Sequence, residues 1–198
     1  MGKIIHGNKN FGYAPISIAS GGVASFGTPV MLSGMVSCEM EIDQDSSTIY
    51  ADDKAYFKAL GAKARSATCA FRQIPAEYAE YLGFHKNTNG SVSDTGEHRN
   101  HCIFFETTEE DNETGKVTQT LHYLYNVKGG EPSFSTATDE DDVTAEEIEV
   151  EYECSDSTFV VDDAGAFVQY AYITRTETNA TKYDTFKTNV LLPTTSMN

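Results

Sequence analysis

Two segments of the chain alternate between apolar and polar residues, and this alternation constrains the fold more than any other feature of the sequence. The apolar positions are Val36, Cys38, Met40 and Ile42, and further along the chain Ile148, Val150, Tyr152 and Cys154. The polar positions between them are Ser37, Glu39, Glu41 and Asp43, and then Glu147, Glu149, Glu151 and Glu153. Because successive side chains of a strand point to opposite faces, each segment predicts a half-buried β-strand with one acidic face.

The rest of the chain also favours β-structure, since it carries eleven Tyr and eleven Phe but no Trp. One helix is predicted at Pro75–Leu82, because Pro stands at its start and Gly83 follows its end. The polar segments Gln44–Lys63 and Asn87–Asn100 are predicted to be loops. Further strands are predicted at Ser66–Ile74, His101–Thr107, Lys116–Asn126 and, as a final hairpin, Ala166–Thr176 and Lys182–Leu191.

The length of 198 residues suits one domain, or one domain with an elaborated edge. We expect a β domain over residues 1–155. Residues 156–198 are then a C-terminal β-hairpin extension, which could also be part of the same domain.

The charge balance excludes several kinds of partner. Fourteen basic and 30 acidic residues give a formal net charge of −16. Proteins that wrap nucleic acid need Lys and Arg to neutralise phosphates, and anionic membrane surfaces attract the same cations, so neither partner is expected. No apolar run approaches the roughly 20 residues of a membrane-spanning helix, and the first residues lack the apolar core of a signal peptide. We therefore expect the chain to fold in the cytoplasm of the cell that makes it.

The four cysteines are far apart in the sequence, and none forms a CxxC pair. They are Cys38, Cys69, Cys102 and Cys154. Each lies in an apolar, strand-like context, so the prediction is four reduced, buried thiols rather than disulfides.

No motif for catalysis or cofactor binding stands out. His85, His98, His101 and Cys102 contain residue types that bind zinc, but no CxxC or HExxH frame accompanies them. With 30 acidic residues in the chain, pairs of carboxylates are expected by chance and do not indicate a catalytic site. The sequence therefore predicts no enzyme, no cofactor and no metal.

Five short motifs occur in an order and spacing typical of a known family. They are Tyr13–Ile16 (YAPI), Phe26–Ser37 (FGTPV followed by Gly34 and Val36-Ser37), Tyr50–Phe57 (YADDKAYF), Ile74–Gly83 and Leu121–Asn126 (LHYLYN). In these motifs the chain resembles the major tail tube proteins of long-tailed phages (siphophages) that infect Gram-positive bacteria. The resemblance covers roughly residues 11–155.

The resemblance implies a tail tube fold and a structural role in the virion. The fold is expected to be mainly β: a β-sandwich or partly closed barrel with one flanking α-helix and long inter-subunit loops. Members of the family assemble as hexameric rings that stack into a tube, and their sheets join across subunits. Such a subunit is assembled in the host cytoplasm and meets further copies of itself, a tape measure protein, and tail-tip and terminator proteins. Phage DNA passes through the tube without adsorbing.

The acidic strand faces have two interpretations. They are either solvated outer faces or the lining of the tube lumen, where repulsion prevents DNA from adsorbing. The resemblance favours the lumen enough to make its candidate residues Glu39, Glu41, Asp43, Glu147, Glu149, Glu151 and Glu153.

The segment Tyr50–Phe57 also has two interpretations. It either folds back to cap its own core or packs against a neighbouring subunit, and large exposed apolar patches favour the second. The candidate contact residues are Tyr50, Asp52, Asp53, Tyr56 and Phe57. Two rival functions remain open: a monomeric β-sandwich binding module, for carbohydrate for example, and the tube subunit of a related injection system.

Overall fold

In a computed structural model of the chain, residues 3–20, 23–51, 53–136 and 146–194 are described, and strands dominate. The strands are β1 (Lys3–Ile18), β2 (Ala24–Phe26), β3 (Val30–Met31), β4 (Met35–Ala51), β5 (Lys54–Phe71), β6 (Leu82–Lys86), β7 (Val92–His98), β8 (His101–Asp111), β9 (Val117–Gly129), β10 (Ser133–Phe134), β11 (Ile148–Cys154) and β12 (Tyr170–Thr174). The helices are α1 (Ala76–Ala79), α2 (Ala180–Tyr183) and a 3₁₀ turn at Asp184–Lys187.

One ten-stranded sheet organises the molecule, with strand order β2-β1-β8-β9-β11-β5-β4. The short strands β3, β10 and β12 pair with β1, β11 and β9, while β6 and β7 form a separate two-stranded sheet. Every pairing is antiparallel. Directly paired residues form a continuous row across the sheet: Pro15, His101, Val127, Cys154, Arg65 and Ile42.

The central strands carry a hydrophobic core on both of their faces. On one face, Ile103 and Phe105 of β8 pack with Tyr78 of α1 and Leu82 of β6. On the other face lie the apolar side chains of the C-terminal segment, residues 157–194: Val160, Tyr183, Phe186 and Leu191. Because both faces of β8 are covered, its side chains from His101 to Thr107 are all buried and do not alternate with exposed ones.

The prediction of a mainly β fold with a flanking helix is confirmed, and the large sheet remains open rather than closing into a barrel. The predicted helix at Pro75–Leu82 is present but shorter, at Ala76–Ala79, and β6 begins at Leu82. The predicted strands at His101–Thr107 and Lys116–Asn126 correspond to β8 and β9.

The prediction of a loop at Gln44–Lys63 is wrong, because these residues form the distal half of a β4–β5 hairpin. The pairing continues from Met35–Phe71 to Ala51–Lys54. The described side chains of this distal half are exposed, apart from the half-buried Ala59. Without a buried face, a strand has no need of alternating apolar residues, and its polar sequence is mistaken for a loop.

Two further predictions are wrong, for opposite reasons. Asn87–Asn100 was predicted to be a loop, but it contains β7, an exposed strand paired with β6. Lys182–Leu191 was predicted to be a strand, but it begins with the end of α2 and the 3₁₀ turn. There the burial of Tyr183 and Phe186 against the sheet overrides the local strand preference. The division of the chain at residue 155 stays a prediction.

The prediction of four reduced thiols is also wrong. Cys38 and Cys69 face each other directly in the β4–β5 ladder and are joined by a disulfide. Cys102 and Cys154 are free thiols, and burial raises the pKa of Cys154 to about 11. Cys38 and Cys69 are 31 residues apart in sequence, so only the register of the hairpin brings them together.

Candidate functional site: an acidic sheet face and a projecting hairpin

The two acidic segments of the sequence meet on one face of the sheet. Their strands, β4 and β11, both pair with β5 and therefore flank it. Glu39 and Glu151 lie on either side of Thr68, so their side chains share a face. The next row has the same arrangement, with Glu41 and Glu153 on either side of Ser66. We call this surface the acidic face; it comprises Glu39, Glu41, Asp43, Glu149, Glu151 and Glu153, all exposed.

Small side chains of β5 lie between the acidic residues of β4 and those of β11. On this face β5 presents Ala64, Ser66, Thr68 and Ala70. With a strand spacing of about 4.8 Å, the flanking backbones lie roughly 9.6 Å apart. On β5, therefore, the register partner of each carboxylate is short and uncharged.

Two basic residues lie at the margins of the acidic face. Lys128 of β9 pairs with Glu153 in register. Glu147, the remaining lumen candidate, lies just before β11, and its carboxylate is 3.2 Å from the Arg72 guanidinium. The acidic residues at the centre of the face have neutral register partners on β5. Thr68 pairs with both Glu39 and Glu151, Ser66 pairs with Glu41, and Ala70 pairs with Glu149.

The reverse side of the same strands fixes which face is exposed. Cys69, Val150 and Tyr152 are fully buried there. The Tyr152 hydroxyl lies 2.7 Å from the Tyr78 hydroxyl, which in turn lies 3.1 Å from Nε2 of the buried His101. Because this side is committed to the core, the carboxylates have no alternative but to face away from it.

The second candidate surface is the end of the β4–β5 hairpin, residues 50–51 and 53–57, which we call the hairpin tip. β11 pairs with β5 only as far as Arg65, and no ladder joins β5 to β12 within the described residues. Beyond Arg65 the hairpin is therefore a two-stranded ribbon that carries the tip, and such ribbons are marginally stable alone.

Aromatic residues at the hairpin tip are strongly exposed. The exposed fractions are 70% for Tyr50, 79% for Tyr56 and 57% for Phe57. Asp53 lies in the turn with φ of 58°, a conformation that Asp tolerates better than most residues. Asp52, also predicted as a contact residue, lies outside the described residues.

The structure adds two apolar residues that the sequence analysis did not select: Ile49 and Leu60 of the hairpin are 55% and 65% exposed. Their exposure could not be inferred from a segment predicted to be a loop, although aliphatic residues in an otherwise polar stretch were a detectable signal. Ile42, predicted to lie on the buried face of its strand, is instead 53% exposed.

The histidines form hydrogen bonds of a structural kind. His101 donates from Nδ1 to the Arg99 carbonyl at 2.8 Å, and burial lowers its pKa to about 4. His98 donates from Nδ1 to the Gly129 carbonyl at 2.7 Å. Within the described ranges, no group of three or more His, Cys, Asp or Glu side chains is arranged to hold a metal ion. In the same part of the chain, no helix has the length and apolarity that crossing a membrane requires.

Comparison with known families places this geometry in context. Residues 2–198 match the sequence model of the family described as phage tail tube protein. The chain belongs to this family. No curated protein matched the chain.

A phage tail tube protein is a structural component of the virion tail, and it assembles with other tail proteins into a tube. Membership accounts for one otherwise unexplained feature of this chain. An exposed aromatic hairpin is unusual in a monomer but expected in a subunit that assembles into a tube. Family membership also favours the tail tube over a monomeric carbohydrate-binding module.

Proposed function

We propose that the chain is the major tail tube subunit of a siphophage. In this proposal six copies form a ring, rings stack head to tail, and the acidic face lines the channel through which the genome is delivered. The observation that carries the proposal is the convergence of two acidic segments, distant in sequence, on one exposed sheet face.

The edges of the sheet support a closed ring. β4 ends the strand order on one side, and its outer edge has no partner strand within the described part of the chain. On the other side, the paired residues of β1 between Lys3 and Lys9 have partners on β8 alone among the strands that the structure describes. An unpaired edge is a template for another strand, and joining two different edges is a heterologous contact that can close into a ring. The inner sheets of neighbouring copies then form one continuous barrel without free edges.

The electrostatics of the acidic face suit a channel for DNA. Duplex DNA carries one negative charge per roughly 1.7 Å of axis, so a carboxylate wall repels it and offers it no cationic sites to bind. Repetition around a ring multiplies the number of carboxylates, whereas the small side chains of β5 leave the wall free of bulky obstructions. The channel thus acts by shape and charge, and no bond is made or broken.

The same proposal defines the partners. A tape measure protein occupies the lumen before the DNA does, whereas tail-tip and terminator proteins cover the two ends of the stack. Assembly takes place in the host cytoplasm. These partners are the ones that the family resemblance implies, and a head-to-tail stack is compatible with two different end proteins because it leaves one unpaired surface of each kind.

Charge reversal on the acidic face tests the proposal. The double variant Glu39→Lys with Glu151→Lys places two cations on either side of Thr68 without touching the core. Tubes are expected to form, as judged by electron microscopy, while DNA delivery falls because the lining now attracts phosphates. A matched control is Glu97→Lys with Glu113→Lys, which makes the same charge change at exposed positions off this face. Normal delivery by the Glu39/Glu151 variant, or equal loss in both, would contradict the lumen assignment.

A further inference from the structure

Two cysteines face each other where the β4–β5 hairpin is still part of the main sheet. Cys38 and Cys69 are directly paired in the ladder and are joined by a disulfide. Their side chains belong to the core, on the reverse of the strands that carry the acidic face. Cys69 is fully buried, whereas Cys38 is half-buried and keeps contact with the solvent. The pair therefore has one accessible sulfur and one protected sulfur.

The other two cysteines do not compete for this bond. Cys102 and Cys154 are free, and burial raises the pKa of both thiols. Because the thiolate is the reactive form of cysteine, we expect neither to exchange readily with the disulfide. In the ladder Cys154 lies opposite Arg65 and not opposite a cysteine. Among the four cysteines, all of which the structure describes, Cys38 and Cys69 are the directly opposed pair.

We propose that Cys38 and Cys69 form a redox lock, which is open as two thiols while the tube is assembled and closes as a disulfide in the released virion. Cytosolic thiols are kept reduced by glutathione and thioredoxin, whereas disulfides persist in oxidising surroundings outside the cell. A subunit made in the host cytoplasm passes from the first environment to the second when the virion leaves the cell. This timing rests on the proposed function, whereas the chemistry of the bond belongs to the chain itself.

A small disulfide such as oxidised glutathione supplies the oxidant. The thiolate of the accessible Cys38 attacks one glutathione sulfur, which forms a mixed disulfide and releases one glutathione thiol. The Cys69 thiolate then attacks the Cys38 sulfur and releases the second glutathione thiol. The two cysteines give up two protons and two electrons, and one glutathione disulfide becomes two thiols. The buried Cys69 needs no direct access to the oxidant, because it meets only the sulfur of Cys38.

The redox lock fixes the register of the strands that carry the acidic face. The β4–β5 ladder has register shifts between Met35 and Ser37 and between Gln44 and Ser46, so an irregularity bounds residues 37–44 at each end. A slip of one residue in this segment would turn its acidic side chains towards the core. A bond between Cys38 and Cys69 prevents this slip and closes a loop, with a sequence separation of 31, that contains the hairpin tip. We expect the closed form to unfold less readily, since a cross-link removes entropy from the unfolded chain.

Comparison of the reduced and oxidised wild-type chain tests the redox lock without any substitution. Producing cells are lysed in denaturant with an alkylating reagent, which should label both Cys38 and Cys69. After unlabelled chain is treated with oxidised glutathione, peptide mass mapping should find the two residues joined. The melting temperature should then be higher by roughly 5–15 °C than that of the reduced chain. A bond that is already complete inside the cells, or equal melting temperatures of the two forms, would overturn the inference.

Two serine variants assign the effect to the proposed pair. Cys38→Ser and Cys154→Ser each replace a half-buried cysteine on a strand, so they are matched in kind. Oxidation should leave the melting temperature of Cys38→Ser unchanged and should raise that of Cys154→Ser as in the wild type. The same response in both variants would overturn the inference. Should Cys38→Ser fail to fold, the wild-type comparison decides alone.

The same treatment of assembled tubes separates the redox lock from the proposed function. Oxidised tubes should dissociate at a higher urea concentration than reduced tubes, as judged by light scattering. Equal urea resistance of the two would overturn the role of the redox lock in the virion while leaving the tube function intact. A wild-type chain that forms no tubes with its tail-tip proteins present would contradict the proposed function, whereas the melting temperatures of the unassembled chain would still decide whether the bond stabilises the fold.

Discussion

At the scale of single residues, His101 shows how the core depends on one protonation state. Its neutral ring donates from Nδ1 to the Arg99 carbonyl, which leaves Nε2 to accept a proton from the Tyr78 hydroxyl. Tyr78 then accepts from the Tyr152 hydroxyl at 2.7 Å. The side chains of His101, Tyr78 and Tyr152 are thus all hydrogen-bonded, as buried polar groups require. Protonation of Nε2 would turn this acceptor into a second donor, and the hydrogen bond from the Tyr78 hydroxyl would be lost.

This arrangement predicts an acid-sensitive fold. Burial lowers the pKa of His101 from 6.5 to about 4. Between these values the unfolded chain binds a proton that the folded chain does not, so the free energy of unfolding falls as the pH drops from about 6.5 to about 4. The loss amounts to roughly 3 kcal/mol and is absent above this window. Urea unfolding of His101→Gln across pH 4–7 should show a weaker pH dependence than the wild type. The exposed His85→Gln is the control, and an unchanged slope in His101→Gln would contradict the prediction.

A second prediction at this scale concerns Gly12 of β1, where the backbone approaches its neighbours closely. A Cβ at this position would lie 2.8 Å from the Val30 carbonyl oxygen and against the Phe104 ring. Because the carbonyl belongs to the paired backbone of β3, Gly12→Ala should destabilise the fold by about 1–3 kcal/mol. Gly130→Ala should change little, since its Cβ would meet only the Glu151 carbonyl oxygen at 3.5 Å. Thermal unfolding of both variants measures the difference, and equal melting temperatures would refute it.

At the scale of elements, the β4–β5 hairpin combines two roles in one pair of strands. Its proximal half has a buried face, whereas its distal half has described side chains that are exposed apart from Ala59. Stability should therefore differ along the same ladder, since amides without packed side chains open more readily. Hydrogen exchange of the unassembled chain is expected to be fast at 46–51 and 53–60 and slow at 66–71. In assembled tubes the distal amides should become protected, and equally fast exchange there would argue against the hairpin as a contact element.

Replacing the aromatic residues of the tip tests the same element in another way. Tyr56→Ser with Phe57→Ser should leave the free energy of unfolding within about 0.5 kcal/mol, because exposed side chains contribute little to the monomer. Sedimentation should nevertheless show a loss of long assemblies. A matched loss of monomer stability would instead indicate that the tip caps its own core.

The sequence predicted those elements whose burial leaves a pattern. β11 was predicted at nearly its observed bounds because Val150 and Tyr152 are buried while Glu149 and Glu151 are exposed. The distal hairpin and β7 lack this contrast, since both of their faces are largely in water. The alternation also predicted correctly that Glu39, Glu41, Asp43, Glu149, Glu151 and Glu153 are exposed strand residues, but it could not predict that they converge on one face. The convergence depends on β5 lying between β4 and β11, which is a matter of long-range pairing. That they line a lumen stays a prediction.

At the scale of the whole molecule, the net charge of −16 opposes the assembly of identical copies. Raising the salt from 0.1 M to 1 M shortens the Debye length from about 10 Å to about 3 Å. Tube growth, followed by light scattering, should therefore become several-fold faster with salt. Glu39→Gln with Glu151→Gln should weaken this dependence more than Glu97→Gln with Glu113→Gln, because only the first pair lies on the proposed lumen. Growth that slows with salt would contradict the prediction.

The small sheet of β6 and β7 has a practical consequence. Its base is fixed by the buried Leu82 and by the hydrogen bond from His98 to Gly129, whereas its turn at Asn87–Ser91 is largely exposed. Gly90 has φ of 85° and open space around it. Lengthening an exposed turn adds closure entropy only slowly, so a foreign peptide inserted there should leave the main sheet undisturbed. Filaments of this subunit would then present the guest once per copy, at regular spacing, as a lattice for antigens or enzymes.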